Sequence, residues 1–77
     1  MTYFDYHAKI KKLINDGKLK YYYFENNYKN IGFALVLCFD DKKYPIREEH
    51  FYEYFDLIGS LYNTNIVDKR YIVTFIK

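Results

Sequence analysis

The sequence predicts a single small α+β domain, in which two helices pack mainly on one face of an antiparallel sheet. Two segments repeat apolar residues at helical spacing, and the segments between and after them are rich in aromatic and β-branched residues. The predicted order is helix, strand, strand, short strand, helix, strand. The 77 residues contain no low-complexity tract and no internal repeat, so residues 1–77 are expected to form one domain.

The first helix is predicted over residues 3–16. Its apolar residues recur at intervals of three and four, which places them on one face of a helix. They are Tyr3, Tyr6, Ile10, Leu13 and Ile14. Thr2 is the expected N-cap, and Gly17 stands where a glycine in the left-handed conformation often ends a helix.

Three strands are predicted after this helix. Residues 19–25 are mostly aromatic, and an asparagine-rich turn separates them from residues 31–39. The second run is continuously apolar, as in a strand at the centre of a sheet. A polar turn leads to a short strand around Tyr44–Ile46, and this strand is placed at an edge because Pro45 has no N–H to donate.

The second helix is predicted over residues 47–62. Its apolar face comprises Phe51, Tyr54, Phe55, Ile58, Leu61 and Tyr62. Glutamates occupy its first turn, where the helix dipole favours negative charge. The Asn63–Asn65 segment is expected to end the helix, and residues 71–76 form the last strand.

The predicted sheet is apolar on both faces, and this pattern bears most on function. In residues 31–39 the odd-numbered side chains are large and apolar, whereas the even-numbered ones are small and apolar. Two helices cover one face of such a sheet, and the other face of an antiparallel sheet is usually polar. A face that keeps aromatic side chains exposed is therefore expected to contact a partner.

The first hypothesis is a non-enzymatic protein-interaction module, acting as a homodimer or as a binder of a larger protein. The predicted surface is a tyrosine-rich sheet face and edge. It comprises Tyr21, Tyr22, Tyr23, Phe24 and Tyr28. In its size, its preference for residues with AT-rich codons and its lack of motifs, the chain resembles small proteins of phages and other mobile elements. That resemblance implies an inhibitor of a host or defence protein.

Single-stranded nucleic-acid binding is the alternative hypothesis. The first thirty residues carry six lysines against three acidic residues, and some of these lysines stand close to tyrosines. In this hypothesis lysines follow the phosphates while bases stack on the tyrosine rings. The lysines are Lys9, Lys12, Lys18 and Lys20. The net charge of +2 is lower than that of most nucleic-acid-binding domains, which counts against this hypothesis.

No catalytic or metal site is predicted, and no cofactor is expected. Cys38 lies inside an apolar run, Ser60 lies inside the second helix, and the isolated glycines form no phosphate-binding loop. The His, Cys, Asp and Glu spacings match no metal-binding motif. A dyad of Cys38 with His7 or His50 is the remote enzymatic alternative.

The predicted compartment is the cytoplasm. The single cysteine excludes an internal disulfide. No apolar stretch approaches the ~18 residues of a membrane span, and the N-terminal residues lack the pattern of a signal peptide. We expect a protein partner, a second copy of the chain or, as the alternative, a nucleic acid, and no membrane contact.

Overall fold

The predicted α+β class, with two helices on one face of an antiparallel sheet, is confirmed, and the sheet has five strands where four were predicted. The computed structural model describes residues 3–76. The elements are α1 (Tyr3–Asn15), β1 (Tyr21–Tyr28), β2 (Gly32–Cys38), β3 (Lys43–Arg47), α2 (Phe51–Leu61), β4 (Tyr62–Val67) and β5 (Arg70–Phe75). The strand order across the sheet is β3-β2-β1-β5-β4, so β1 is the central strand and β3 and β4 are the two edges.

The first helix ends at a glycine, as its sequence predicts. Gly17 has a φ of +77°, its N–H donates to the Ile14 carbonyl, and the Lys18 N–H donates to the Leu13 carbonyl. This pair of bonds is a Schellman motif, in which a left-handed residue closes the helix. The carbon atoms of the Phe75 ring lie as close as 3.2 Å to the point where a Gly17 Cβ would stand. The predicted cap at Thr2 lies outside the described residues.

The strand β1 is longer than predicted. Its asparagines lie within the strand, and the pairing with β2 shifts between Glu25 and Tyr28. The turn follows this irregularity, with left-handed φ angles of +40° at Lys29 and +85° at Gly32. The asparagines therefore mark a local break in strand pairing, and the chain reverses a few residues later.

The strand β4 is the element that the sequence prediction lacks. Asn63–Asn65 does not simply end the helix, because α2 passes directly into β4, which pairs along its length with β5. The two strands are joined by Asp68 and Lys69, with φ angles of +56° and +69°. Positive φ at both central residues is the type I′ hairpin geometry, which usually carries Asn-Gly or Asp-Gly. Because this turn contains no glycine, the sequence gives little sign of the hairpin.

The second helix is shorter than the predicted 47–62. Residue 47 closes β3, Glu48–His50 form a 3₁₀ turn, and α2 begins at Phe51. The predicted edge strand around Tyr44–Ile46 is confirmed as β3.

The core lies between the helices and one face of the sheet. Its fully or nearly fully buried members include Ile10, Ile14, Leu35, Leu37, Ile46, Tyr54 and Ile58. Tyr62 ties α1 to the start of β1, because its hydroxyl donates to the Ile14 carbonyl at 2.7 Å and accepts from the Leu19 N–H at 3.4 Å. No helix within residues 3–76 has the length and apolarity needed to cross a membrane.

Candidate functional site

The face of the sheet opposite the helices is called the open face below. Strand register determines its side chains, because directly paired residues point to the same face. One row runs across all five strands through Lys43, Cys38, Tyr21, Ile72 and Asn65. The small side chains of β2 on this face are buried, and larger side chains of the neighbouring strands flank them. On the open face, long polar and aromatic side chains of the neighbouring strands therefore flank the small side chains of β2.

Tyr21 and Tyr23 form the centre of the open face and are called the tyrosine pair. Their ring centroids lie 6.5 Å apart with an interplanar angle of 23°. The Lys43 ammonium lies 5.6 Å from the centroid of the Tyr23 ring, and the Arg70 guanidinium lies 5.1 Å from that of Tyr21. Both distances are within the range of cation–π attraction. Because Lys43 belongs to β3 and Arg70 to β5, the two cations flank the tyrosine pair from opposite sides.

A shallow groove of about 270 Å³ runs beside the tyrosine pair. Its lining residues are Tyr21, Tyr23, Phe24, Lys43, Lys69 and Arg70. Lys69 comes from the hairpin turn between β4 and β5, so this hairpin adds a third cation to the groove. The groove is open to solvent along its length and can receive an extended, negatively charged ligand.

Charge on the open face is mainly positive. Register places Arg47 on this face at the other end of β3 from Lys43, and Glu25 lies two strands away from Arg47 across Ala34. The pKa of Lys43 is raised, chiefly by the neighbouring Tyr23 hydroxyl and next by the Cys38 thiol. Burial raises the pKa of the Tyr23 hydroxyl. At neutral pH this part of the face therefore presents a cation beside a neutral phenol.

The five residues of the predicted tyrosine-rich surface do not share one face, which corrects that prediction. They belong to the central strand β1, and its register with β5 covers Tyr21 and Tyr22, so the stretch toward Tyr28 extends beyond β5 as a local edge. Tyr22 and Phe24 pair with Leu37 and Leu35 and point toward the helices. Tyr22 packs against the core, and its ring stacks on Tyr71 with centroids 4.8 Å apart.

Tyr28 lies apart from the tyrosine pair. It follows the break in the pairing of β1, opposite Gly32. The Lys29 ammonium stands 5.6 Å from the centroid of its ring. Of the predicted surface, the structure therefore brings together only Tyr21 and Tyr23 on the open face.

The lysines predicted to bind nucleic acid also lie away from the tyrosine pair. Lys9 and Lys12 belong to α1, on the helix side of the sheet, where Lys9 stands 6.0 Å from the Tyr44 ring centroid. Lys12 pairs with Asp16 at 3.1 Å, and Lys20 approaches Asp40 at 3.7 Å. Lys18 is exposed in the loop after α1. The cations beside the rings come instead from the second half of the chain.

An aromatic patch on the helix side is a second exposed feature. Its members are Phe24, Phe33, Phe51, Tyr52 and Phe55. Phe24 and Phe33 stack at 5.7 Å and are 36% and 40% exposed, and Tyr52 is 82% exposed. The patch lies where β1 and β2 extend past the start of α2.

A polar cluster joins α1 to α2. The Tyr54 hydroxyl lies 2.6 Å from His7 Nδ1, and the His7 ring lies 4.5 Å from that of His50. Burial lowers the pKa of His7 and raises that of Tyr54, so a protonated phenol donates to a neutral imidazole. Lys11 pairs with Glu53 at 2.7 Å, and this hydrogen bond lowers the Glu53 pKa.

The cysteine of the remote enzymatic alternative lies on the other side of the sheet from both histidines. Cys38 is buried on the open face and burial raises its thiol pKa, while His7 and His50 belong to the helix layer. The structure therefore does not assemble the dyad. Among residues 3–76, no group of three or more His, Cys, Asp or Glu side chains is arranged to hold a metal ion.

Comparison with known proteins identifies no relative of this chain. No family model matches the sequence, and no curated protein or solved structure shows significant similarity to it.

Sequence reasoning missed Lys43, Arg47 and Arg70 as open-face residues. The alternate spacing of Lys43, Pro45 and Arg47 could have indicated that these residues share a face, because alternate residues of a strand do so. Nothing in the sequence indicated the place of Arg70, because its position beside the tyrosine pair depends on β5 pairing with the central strand.

Proposed function

We propose that the protein is a non-enzymatic binding domain whose open face binds single-stranded nucleic acid. One observation supports this function best: two near-parallel tyrosine rings lie on an uncovered sheet face, and Lys43 and Arg70 flank them. Domains that bind single strands combine aromatic rings, on which bases stack, with cations that follow the phosphates. The cytoplasm remains the proposed compartment.

The arrangement favours single strands over duplexes. The tyrosine pair lies on the surface of a sheet, and bases reach such rings only when their planar faces are free. The groove is lined by cations from the β3 side and from the β4–β5 hairpin. A backbone that crosses β1 would therefore meet positive charge on both sides of the stacked bases.

Fluorescence anisotropy with a labelled oligonucleotide of about 12 nucleotides tests the proposal. If Lys43, Arg47 and Arg70 contact phosphates, affinity should fall about 20-fold between about 50 and 200 mM salt. Replacing Tyr21 or Tyr23 with Ala should weaken binding about 5- to 150-fold for each ring, because a stacked base is worth roughly 1–3 kcal/mol.

Two double variants with equal loss of charge identify the face. The change of Lys43 and Arg70 to Ala should reduce the salt dependence strongly, whereas the change of Lys9 and Lys12 to Ala should leave binding nearly unaltered. Circular dichroism checks that both variants fold. No binding by the wild-type protein at about 100 μM and low salt would refute the proposal. The reverse ranking of the two variants would move the site to α1.

A protein partner is the second candidate function, and the exposed aromatic patch favours it. Phe33 and Tyr52 are large side chains that stay exposed among residues 3–76, and exposed apolar patches often mark protein contacts. In this proposal the domain binds and regulates, or inhibits, a larger protein. A partner retained after nuclease treatment, lost on Phe33→Ser with Tyr52→Ala, and kept by the Lys43 and Arg70 double variant would support it.

A further inference from the structure

The two edges of the sheet differ in whether their outward backbone N–H and C=O groups can bond another strand. At the β3 edge, Pro45 has no N–H, and its carbonyl already accepts a hydrogen bond from the Tyr6 hydroxyl at 2.9 Å. Natural proteins use proline and covering side chains to stop an edge strand from pairing with another chain. The middle of the β3 edge is therefore blocked against pairing with another strand.

Backbone bonds show which residues of β4 face outward. The Ile76 N–H donates to the Leu61 carbonyl at 2.7 Å, and the Val73 N–H donates away from β4 to the Lys20 carbonyl at 3.3 Å. Antiparallel partners alternate between residues that bond each other and residues that bond the opposite side. By this alternation Asn63, Asn65 and Val67 bond β5. Thr64 and Ile66 direct their N–H and C=O groups toward the free edge, and Tyr62 directs its C=O there, because the Tyr62 N–H donates to the Ile58 carbonyl of α2.

The β4 strand also lacks the side chains that normally discourage pairing. Its sequence, Tyr62–Val67, contains no charge, no proline and no glycine. Ile66 is 70% exposed and Val67 is 51% exposed, on opposite faces of the sheet. An uncharged edge with exposed β-branched residues is a template for another strand.

We propose that β4 pairs antiparallel with β4 of a second copy, so that the two sheets become continuous. With Thr64 on the two-fold axis, the two Thr64 residues bond each other and each Ile66 N–H donates to the Tyr62 carbonyl of the other copy, giving about four backbone hydrogen bonds. The register places Thr64 opposite its own copy and Ile66 opposite Tyr62. Both are cross-strand pairs that stabilise sheets, and an uncharged strand meets its copy without like-charge repulsion. The proposal does not depend on nucleic-acid binding.

Sedimentation velocity of the full chain over a concentration series tests the proposal. We expect a species with twice the 9.5 kDa mass of one chain. Thr64→Pro removes an outward N–H from each copy without removing a bond to β5, and should weaken dimerisation about 30-fold. Ile66→Lys should also give a monomer. Ile76→Lys is the matched control, because Ile76 is 52% exposed but belongs to the end of β5. This control should remain a dimer.

Amide hydrogen exchange of the wild-type protein provides a test that requires no variant. The N–H groups of Thr64 and Ile66 should be protected, and their protection should increase with protein concentration. A wild-type chain that is monomeric at about 100 μM, with these two amides unprotected, overturns the proposal. A dimer that survives both Thr64→Pro and Ile66→Lys overturns it as well, because another surface then holds the copies together.

Discussion

Adjacent tyrosines of β1 should differ in their contribution to stability, because the strand directs them to opposite faces. We expect Tyr22→Ala to lower the free energy of unfolding by about 2–3 kcal/mol. Truncation of a fully buried aromatic costs roughly 3–5 kcal/mol, and Tyr22 is partly buried. The variant loses the stack on Tyr71, whose ring plane is 6° from that of Tyr22, and a side-chain hydrogen bond with Thr64.

Tyr23→Ala should cost less, about 1–2 kcal/mol. The variant loses an offset ring contact with Tyr21 at 6.5 Å and the Lys43 contact at 5.6 Å. Contacts of these two kinds contribute roughly 0.5–1 kcal/mol each at exposed sites. The two variants remove the same side chain from neighbouring positions of one strand, so each is the control for the other.

Urea denaturation followed by circular dichroism measures both changes. With a slope near 1 kcal/mol per molar urea, as in small domains, the midpoint should fall by about 2–3 M for Tyr22→Ala and about 1–2 M for Tyr23→Ala. Equal losses, or a larger loss for Tyr23→Ala, would show that the faces of β1 are wrongly assigned. The open face would then be part of the core.

Three further predictions test the helix layer. Gly17→Ala should lower stability by about 1–3 kcal/mol, because its left-handed φ and the nearby Phe75 ring disfavour a side chain. Gly59→Ala, in a helix with open space around the glycine, should raise stability by about 0.5–1 kcal/mol. Thermal melts compare the two variants, and a gain in stability for Gly17→Ala would refute the reasoning. Tyr62→Phe should cost about 1–3 kcal/mol in urea titrations, because it leaves the buried Leu19 N–H without its acceptor and removes one of the two donors to the Ile14 carbonyl. A neutral result would exclude that role. Because the folded state lowers the His7 pKa below 6.5, the unfolded chain binds the proton more readily. The free energy of unfolding should therefore fall as the pH drops through and below 6.5, and it should fall less in His7→Gln. Urea unfolding at several pH values measures both changes. The same pH dependence in the wild-type protein and in His7→Gln would contradict this role of His7.

The helices and the inner strands could be predicted from the sequence because the residue patterns that indicate them lie within single segments of the chain. The spacing from Tyr6 to Ile14 and the glycine that follows predict α1 correctly. The continuous apolar run predicts β2 and its place inside the sheet. Large and small residues alternate along β2, and the structure buries Leu35 and Leu37 of the large set beneath the helices, while Phe33 is 40% exposed.

The candidate site was less predictable because it depends on pairings between distant segments. The β4–β5 hairpin turns through Asp68 and Lys69 without a glycine, so its signal is weak. Without β4, nothing in the sequence places Arg70 near the centre of the sheet. The alternation of β1 was visible, but which of its two sets lies under the helices depended on the register with β2.

A nuclear magnetic resonance titration of the ¹⁵N-labelled protein with a single-stranded oligonucleotide tests the central claim most directly. The account predicts that the largest amide shifts occur at Tyr21, Tyr23, Lys43 and Arg70, and that the amides of α1 change little. Shifts concentrated on α1, or no shifts at any ratio, would contradict the assignment of binding to the open face.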